Sequence, residues 1–180
     1  HHASEMTGLF FDMINSYPKP VIMLAEGAAM AGGLGMLCAG DIVVVTEDCK
    51  FALTETTLGI PPAQIAPFVS QRIGLAKARR IMLTAARFTG KEAHEMGLAD
   101  FVAKDADDLK VIEADIKKGV LKCAPGANAV TKEIVLATRH LTRKEMIEFA
   151  AKGFAERMLS DEGKEGISSF IEKRKPKWSK

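Results

Sequence analysis

Fourteen consecutive uncharged residues, Gly27 to Gly40 (GAAMAGGLGMLCAG), separate two short apolar runs, and five of the fourteen are glycines. The run is too short for a membrane span, which needs about 20 residues, and it is bounded by Glu26 and Asp41. It is therefore a buried element. The flanking runs VIMLAEG and DIVVVTED are short, apolar and bounded by Pro, Gly or Asp, as buried strands are. Between them the spacing predicts a helix over about Met30–Cys38. Each interior glycine weakens such a helix by roughly 1 kcal/mol. Something must approach this backbone closely, either a neighbouring element or a substrate.

Further along, CKFAL reads as a third strand, PPAQIAPFVSQRIG as a loop running into a short helix, and LAKARRIMLTA as an amphipathic helix. GKEAHEMG predicts a short helix ended by Gly97, and LADFVA another strand. From Asp107 the pattern becomes wholly helical, with segments at Asp108–Lys122, Ala127–His140 and Thr142–Leu159, and a last helix, EGISSFIEKRK, reaching Pro176. Thr142 with Glu145 predicts a capping box. Alternating strands and helices imply an α/β fold with a mostly parallel sheet. The division predicted is a core over 1–120 and a helical region over 121–180.

The formal charge of +2 gives no electrostatic case for nucleic acid. Cys38, Cys49 and Cys123 are odd in number and widely spaced, which predicts free buried thiols in a reducing compartment rather than a disulfide framework or a zinc site. HHASEM lacks an initiator Met, so His1-His2 reads as the remnant of a tag and the chain as beginning inside an architecture.

Two places can carry chemistry. A strand ending at Glu26-Gly27, followed by a helix with Gly32 and Gly33 in its first turn, leaves backbone N–H groups facing open space. With the helix dipole behind them they suit an anion or a developing oxyanion; close helix packing explains the same glycines equally well. The second place is Glu55, just past an apolar strand. Against apolar walls its carboxyl can act as acid or base near neutral pH; an exposed or helix-capping glutamate is the alternative. His94 lies on a polar helix and His140 at a helix C-terminus, and neither has a Ser or Cys partner in sequence. The basic tail EKRKPKWSK reads as a solvated helix end or as a patch for a phosphorylated ligand.

Five motifs in order resemble the crotonase superfamily, the enoyl-CoA hydratases and isomerases. They are KPVIMLAEGAAMAGGLGMLCAGDIVV, KFALTETTLGIPPAQIAPFVSQRIG, LTAARFTGKEAHEMGLADFV, APGANAVTK and EGISSFIEKRKPKW. The resemblance implies a core of repeated ββα units, here truncated at its N-terminus, and a C-terminal helical trimerisation region. It implies a coenzyme A thioester as substrate, with no separate cofactor and no metal. At the position matching Gly32, the backbone N–H is one of two donors to the thioester oxygen; the loop bearing the other would precede His1. Glu55 matches the glutamate that exchanges a proton with substrate. A further glutamate, which orients water in the family's hydratases, is replaced by Gly35. Isomerases of the family use one glutamate.

Pro62–Gly74 together with Gly35 is similar to the branched glutaconyl-CoA hydratases. The implied activity is a hydro-lyase on a 2-enoyl-CoA, with a single-glutamate isomerase or a non-catalytic module as alternatives. Gly33, Gly35, Phe170 and Lys173 are implied as substrate and CoA contacts. Phe170 and Lys173 would share a helix face and reach a neighbouring subunit's site in a trimer or dimer of trimers. A cytoplasmic location, or the mitochondrial matrix in a eukaryote, is expected, with no membrane or nucleic-acid partner.

Overall fold

A computed structural model describes residues 2–179, so the reading of His1 as part of a tag lies outside the described residues. Two compact units are present: one comprises residues up to Asn15 with Val21–Asp115, the other Ser16–Pro20 with the residues from Ile116 onward.

The first unit contains α1 (His2–Ser16, but for its last residue), β1 (Ile22–Ala25), β2 (Ala28–Met30), α2 (Gly32–Ala39), β3 (Ile42–Thr46) and β4 (Lys50–Ala52). A 3-10 turn at Glu55–Leu58 follows, then α3 (Ala66–Ile73), α4 (Leu75–Leu83), β5 (Arg87–Thr89), α5 (Gly90–Met96), β6 (Phe101–Ala103) and the start of α6 (Ala106–Leu121). Strands β1, β3 and β6 form a parallel sheet in the order β1-β3-β6. A second sheet has the order β2-β4-β5, with β2 parallel to β4 and β5 antiparallel to it.

The β-branched run of β3 is buried on both faces, as a central parallel strand should be. Helix α2 is apolar all round and buried along Leu34, Gly35, Leu37, Cys38 and Ala39. The core joins these to Phe51, Leu53, Val69, Ile81 and Leu98. Each large side chain there contributes about 1.5–3 kcal/mol by leaving water. Phe11 on α1 meets Phe68 on α3 edge-on, centroids 5.8 Å apart. The thiol of Cys38 is pushed up to about 12, chiefly by burial.

Arg72, with its side chain 12% exposed, ties the sheet's edge together. Its guanidinium donates to the carbonyls of Leu98 and Gly40 and pairs with Asp100, whose Oδ2 also accepts from the Val43 N–H at 2.7 Å.

The second unit holds the end of α6, then α7 (Pro125–Ala137), α8 (Arg143–Leu159) and α9 (Asp161–Ile171). The Thr142–Glu145 capping box is formed. A cavity of about 420 Å³ lies among α7, α8 and α9, lined by Val130, Ile134, Phe154 and Trp178 with others. The Trp178 indole donates to the Lys122 carbonyl at 3.1 Å.

Four expectations are corrected. Met30, expected to open the helix, is the last residue of the strand Ala28–Met30, whose backbone pairs with β4, and the helix begins at Gly32. The three-residue β5 was not anticipated and makes the second sheet mixed. Cys123 is exposed, not buried. The last helix ends at Ile171: Lys173 takes a left-handed φ of 55°, its N–H bonds to Phe170, and the Arg174 N–H reaches back to Ser169. That pair of bonds is the Schellman ending of a helix, so Phe170 and Lys173 do not share a helix face.

Candidate active site

Parallel pairing brings the two chemistry-bearing positions to one sheet edge. Met30 at the end of β2 stands opposite Ala52 at the end of β4. Gly32 lies two residues past the first strand end and Glu55 three past the second. The last rung is the Ala31 N–H donating to the Ala52 carbonyl at 3.0 Å. Ala31 adopts φ 47°, ψ −121°, a backbone conformation that costs a non-glycine residue about 1–3 kcal/mol. This sharp turn starts α2 directly at Gly32.

The N–H groups of Gly32 and Gly33 donate to no described residue, whereas Gly35 N–H already bonds to the Ala31 carbonyl. A Cβ built on Gly32 would meet nothing within 4 Å, and one on Gly33 would find only the Ala29 methyl, at 3.8 Å. Gly32 therefore presents a donor to open space, and close packing does not explain it. Gly35 differs. It is buried, and a Cβ there would fall 2.9 Å from Ile65 Cγ1, 3.0 Å from Cγ2 and 3.3 Å from Cβ. Expected as a substrate contact, Gly35 is instead the position on which Ile65 packs.

Glu55 opens the 3-10 turn and is half-buried. Its backbone is held firmly. Gly59, left-handed at φ 75°, and Ile60 both donate N–H groups to the Glu55 carbonyl. Thr57 Oγ1 bonds the Thr54 carbonyl at 2.7 Å, and Thr56 Oγ1 bonds the Met82 carbonyl of α4 at 3.1 Å. The carboxylate itself caps nothing. Its Oε2 is shielded from solvent without a hydrogen-bond partner among the described residues. Such a buried polar atom is costly unless something pairs with it. Glu55 is thus neither exposed nor a cap. Leu58 and Ile60, large apolar side chains left exposed, follow it on the same segment.

Phe170 and Lys173 belong to the helical unit. Phe170 is 85% exposed; Lys173 is exposed and makes no ion pair among the described residues. Arg174 is committed to Glu165 and Glu172. His94 bonds the Ala99 carbonyl through Nδ1, at 3.0 Å, a structural contact. Among the described residues no group of His, Cys, Asp and Glu could hold a metal ion, and no helix is long and apolar enough to cross a membrane. Sequence reasoning missed Ala31 and Ile65. The alanine before Gly32-Gly33, at a turn favouring glycine, was a readable signal; Ile65 offered none.

A strand-end turn with a free donor beside a shielded carboxylate, on paired small sheets, is a crotonase-type α/β arrangement. Residues 4–180 match the model of the enoyl-CoA hydratase/isomerase family, and the chain belongs to that family. It is 35% identical over 169 residues to a probable enoyl-CoA hydratase of Bacillus subtilis, covering 93% of this chain and 65% of that protein. It is 31% identical over 166 residues to a peroxisomal Delta(3,5)-Delta(2,4)-dienoyl-CoA isomerase of Arabidopsis thaliana, covering 90% and 59%. The solved structure of Pseudomonas aeruginosa AtuE superposes with a TM-score of 0.96 at 42% identity, over 98% of this chain and 69% of that one. The crotonase-like α/β fold with a helical C-terminal region is borne out. The chain spans about two thirds of the length of the curated relatives it matches.

Proposed function

We propose that this chain carries the reacting end of an enoyl-CoA hydratase/isomerase-type site, with Glu55 as the proton-transferring group and the Gly32 N–H as an oxyanion donor. The observation that carries the reading is the unpartnered, shielded Glu55 Oε2 at the same strand-end edge as the free Gly32 N–H. In hydration, Glu55 takes a proton from water as the water oxygen bonds the β-carbon. Electron density moves to the thioester oxygen, which Gly32 stabilises as an enolate; a well-placed donor of this kind is worth about 3 kcal/mol. Glu55 then returns the proton to the α-carbon. One carboxylate suffices because it acts first as base and then as acid.

Isomerisation is the second reading, favoured by the aliphatic cover over Gly35 where a water-orienting glutamate would stand in a hydratase of the family. There Glu55 carries one proton along the acyl chain and no water is added. A branched glutaconyl-CoA is the candidate substrate, supported by the likeness of Pro62–Gly74. Gly33, Phe170 and Lys173 are the proposed substrate and CoA contacts, the last two acting across subunits of a trimer or a dimer of trimers. Incubation with 2-enoyl- and 3-enoyl-CoA thioesters, with products read by mass, tests the reading. Hydration adds one water to the product, isomerisation leaves the mass unchanged, and no conversion of either overturns the proposal.

A further inference from the structure

We infer that Ile65 is a specificity-determining residue, setting an aliphatic stop to the acyl group beside the Gly32 donor. The inference rests on the reading of Gly32 and Glu55 just given. Gly32 and Gly35 are three residues apart on α2, so they lie on one helix face. Over Gly32 that face is open, and one turn further on it is closed by three carbons of Ile65. The open space therefore ends where Ile65 begins.

Ile65 is anchored to stay there. Its N–H bonds the Pro62 carbonyl, its own carbonyl accepts from Val69, and its β-branched side chain has little rotamer freedom. It is 7% exposed and belongs to the core cluster, so it is buried on its other sides while it covers Gly35. It also hangs from the segment that leaves Glu55 and carries exposed Leu58 and Ile60, so this segment supplies both the acid and an apolar boundary. Gly35 and Ile65 act as a pair: any side chain at 35 displaces Ile65, and trimming Ile65 opens space above Gly35. An apolar boundary that meets an acyl chain discriminates by roughly 10- to 200-fold per methylene.

The test is the affinity of the protein and its Ile65→Ala and Ile65→Val variants for butyryl-, hexanoyl- and decanoyl-CoA, measured by titration calorimetry. These saturated thioesters need no turnover, so binding without catalysis would remove the proposed reaction and leave this inference standing. The expected result is a decanoyl-to-butyryl affinity ratio at least ~10-fold higher in Ile65→Ala, with Ile65→Val between. The milder Val variant keeps the test valid if Ala fails to fold. A ratio within twofold of the parent in a folded variant makes Ile65 a core residue only and overturns the inference. Absence of binding to all three thioesters by the parent overturns it together with the reading on which it rests. A purely structural role would lower the melting temperature of Ile65→Ala without moving the ratio.

Discussion

The two units differ in how far they bury their apolar residues. In the α/β unit Leu34, Val43, Val44, Val45, Phe51 and Leu98 are sealed from water, although Phe10, Leu75, Leu83 and Phe101 among others stay exposed, and strained Ala31 and unpartnered Glu55 stand at one strand-end edge. In the helical unit, α8 has no buried residue across its 17 positions, and Ile147, Phe154, Leu159, Phe170 and Ile171 are exposed. A solvated helix gains little from such side chains. The lesson is that both units leave apolar side chains exposed, but the first does so around a sealed core with a strained turn and an unpartnered carboxylate at one strand end, whereas the second carries a 17-residue helix with no buried position, which points to association. That difference supports the proposed homo-oligomer.

The sharpest way to break this contrast is Glu55→Gln, which keeps size and polarity but removes the transferable proton. Turnover is expected to fall by at least ~100-fold with CoA-ester affinity retained. A loss under fivefold, measured by steady-state kinetics, would make the orphaned oxygen a packing accident.

Arg72→Met follows. It removes a donor from the Leu98 and Gly40 carbonyls and leaves Asp100 with the Val43 N–H but without its cation. Breaking a largely buried pair typically costs about 3–5 kcal/mol. Asp100 is partly solvated, so chemical denaturation should show about 1.5–3 kcal/mol lost, the range for a hydrogen bond to a charged group.

Gly32→Val is expected to fold, since nothing lies within 4 Å of a Cβ there. The branched side chain would crowd the donor instead. Turnover should fall about 10-fold or more while the melting temperature barely moves, the reverse of Arg72→Met; loss of a single oxyanion contact sets the upper end at about 1,000-fold.

The smallest effect lies in the helical unit. The carboxyl of Glu165 is held down to about 2 from its ordinary 4.5, first by hydrogen bonds from Arg174 and further by the Lys177 N–H. A depressed carboxyl stabilises the fold above its unfolded value, and that contribution disappears as pH falls through the folded value. Between about pH 4.5 and pH 2 the tail contact should therefore weaken. The Lys177 amide resonance should titrate with a midpoint near 2, and a midpoint near the ordinary carboxylate value would show that the contact does not form.

Much of this architecture was readable from sequence where elements were long or strongly patterned, as in β3, α2 and the helices from Asp108. Ala28–Met30 was not, because Ala and Met favour helices and only pairing with β4 made them a strand. Arg87–Thr89 is too short for any periodicity to show. The last helix was read too far because Lys173, no glycine, takes the left-handed position that ends it. At the candidate site, Gly32 and Glu55 stood out by residue type and by resemblance. The cover of Ile65 over Gly35 joins residues 30 apart, and no local pattern encodes such a contact.

Trp178 is the only tryptophan in the chain, and its ring packs against Gly166 while its N–H holds the Lys122 carbonyl. All three residues belong to the helical unit. Intrinsic fluorescence is thus an optical probe of that unit alone, while far-ultraviolet circular dichroism sums over both. Melting followed by the two signals at once separates the units without any label: a shared midpoint means they unfold as one cooperative body, and divergent midpoints give each its own stability.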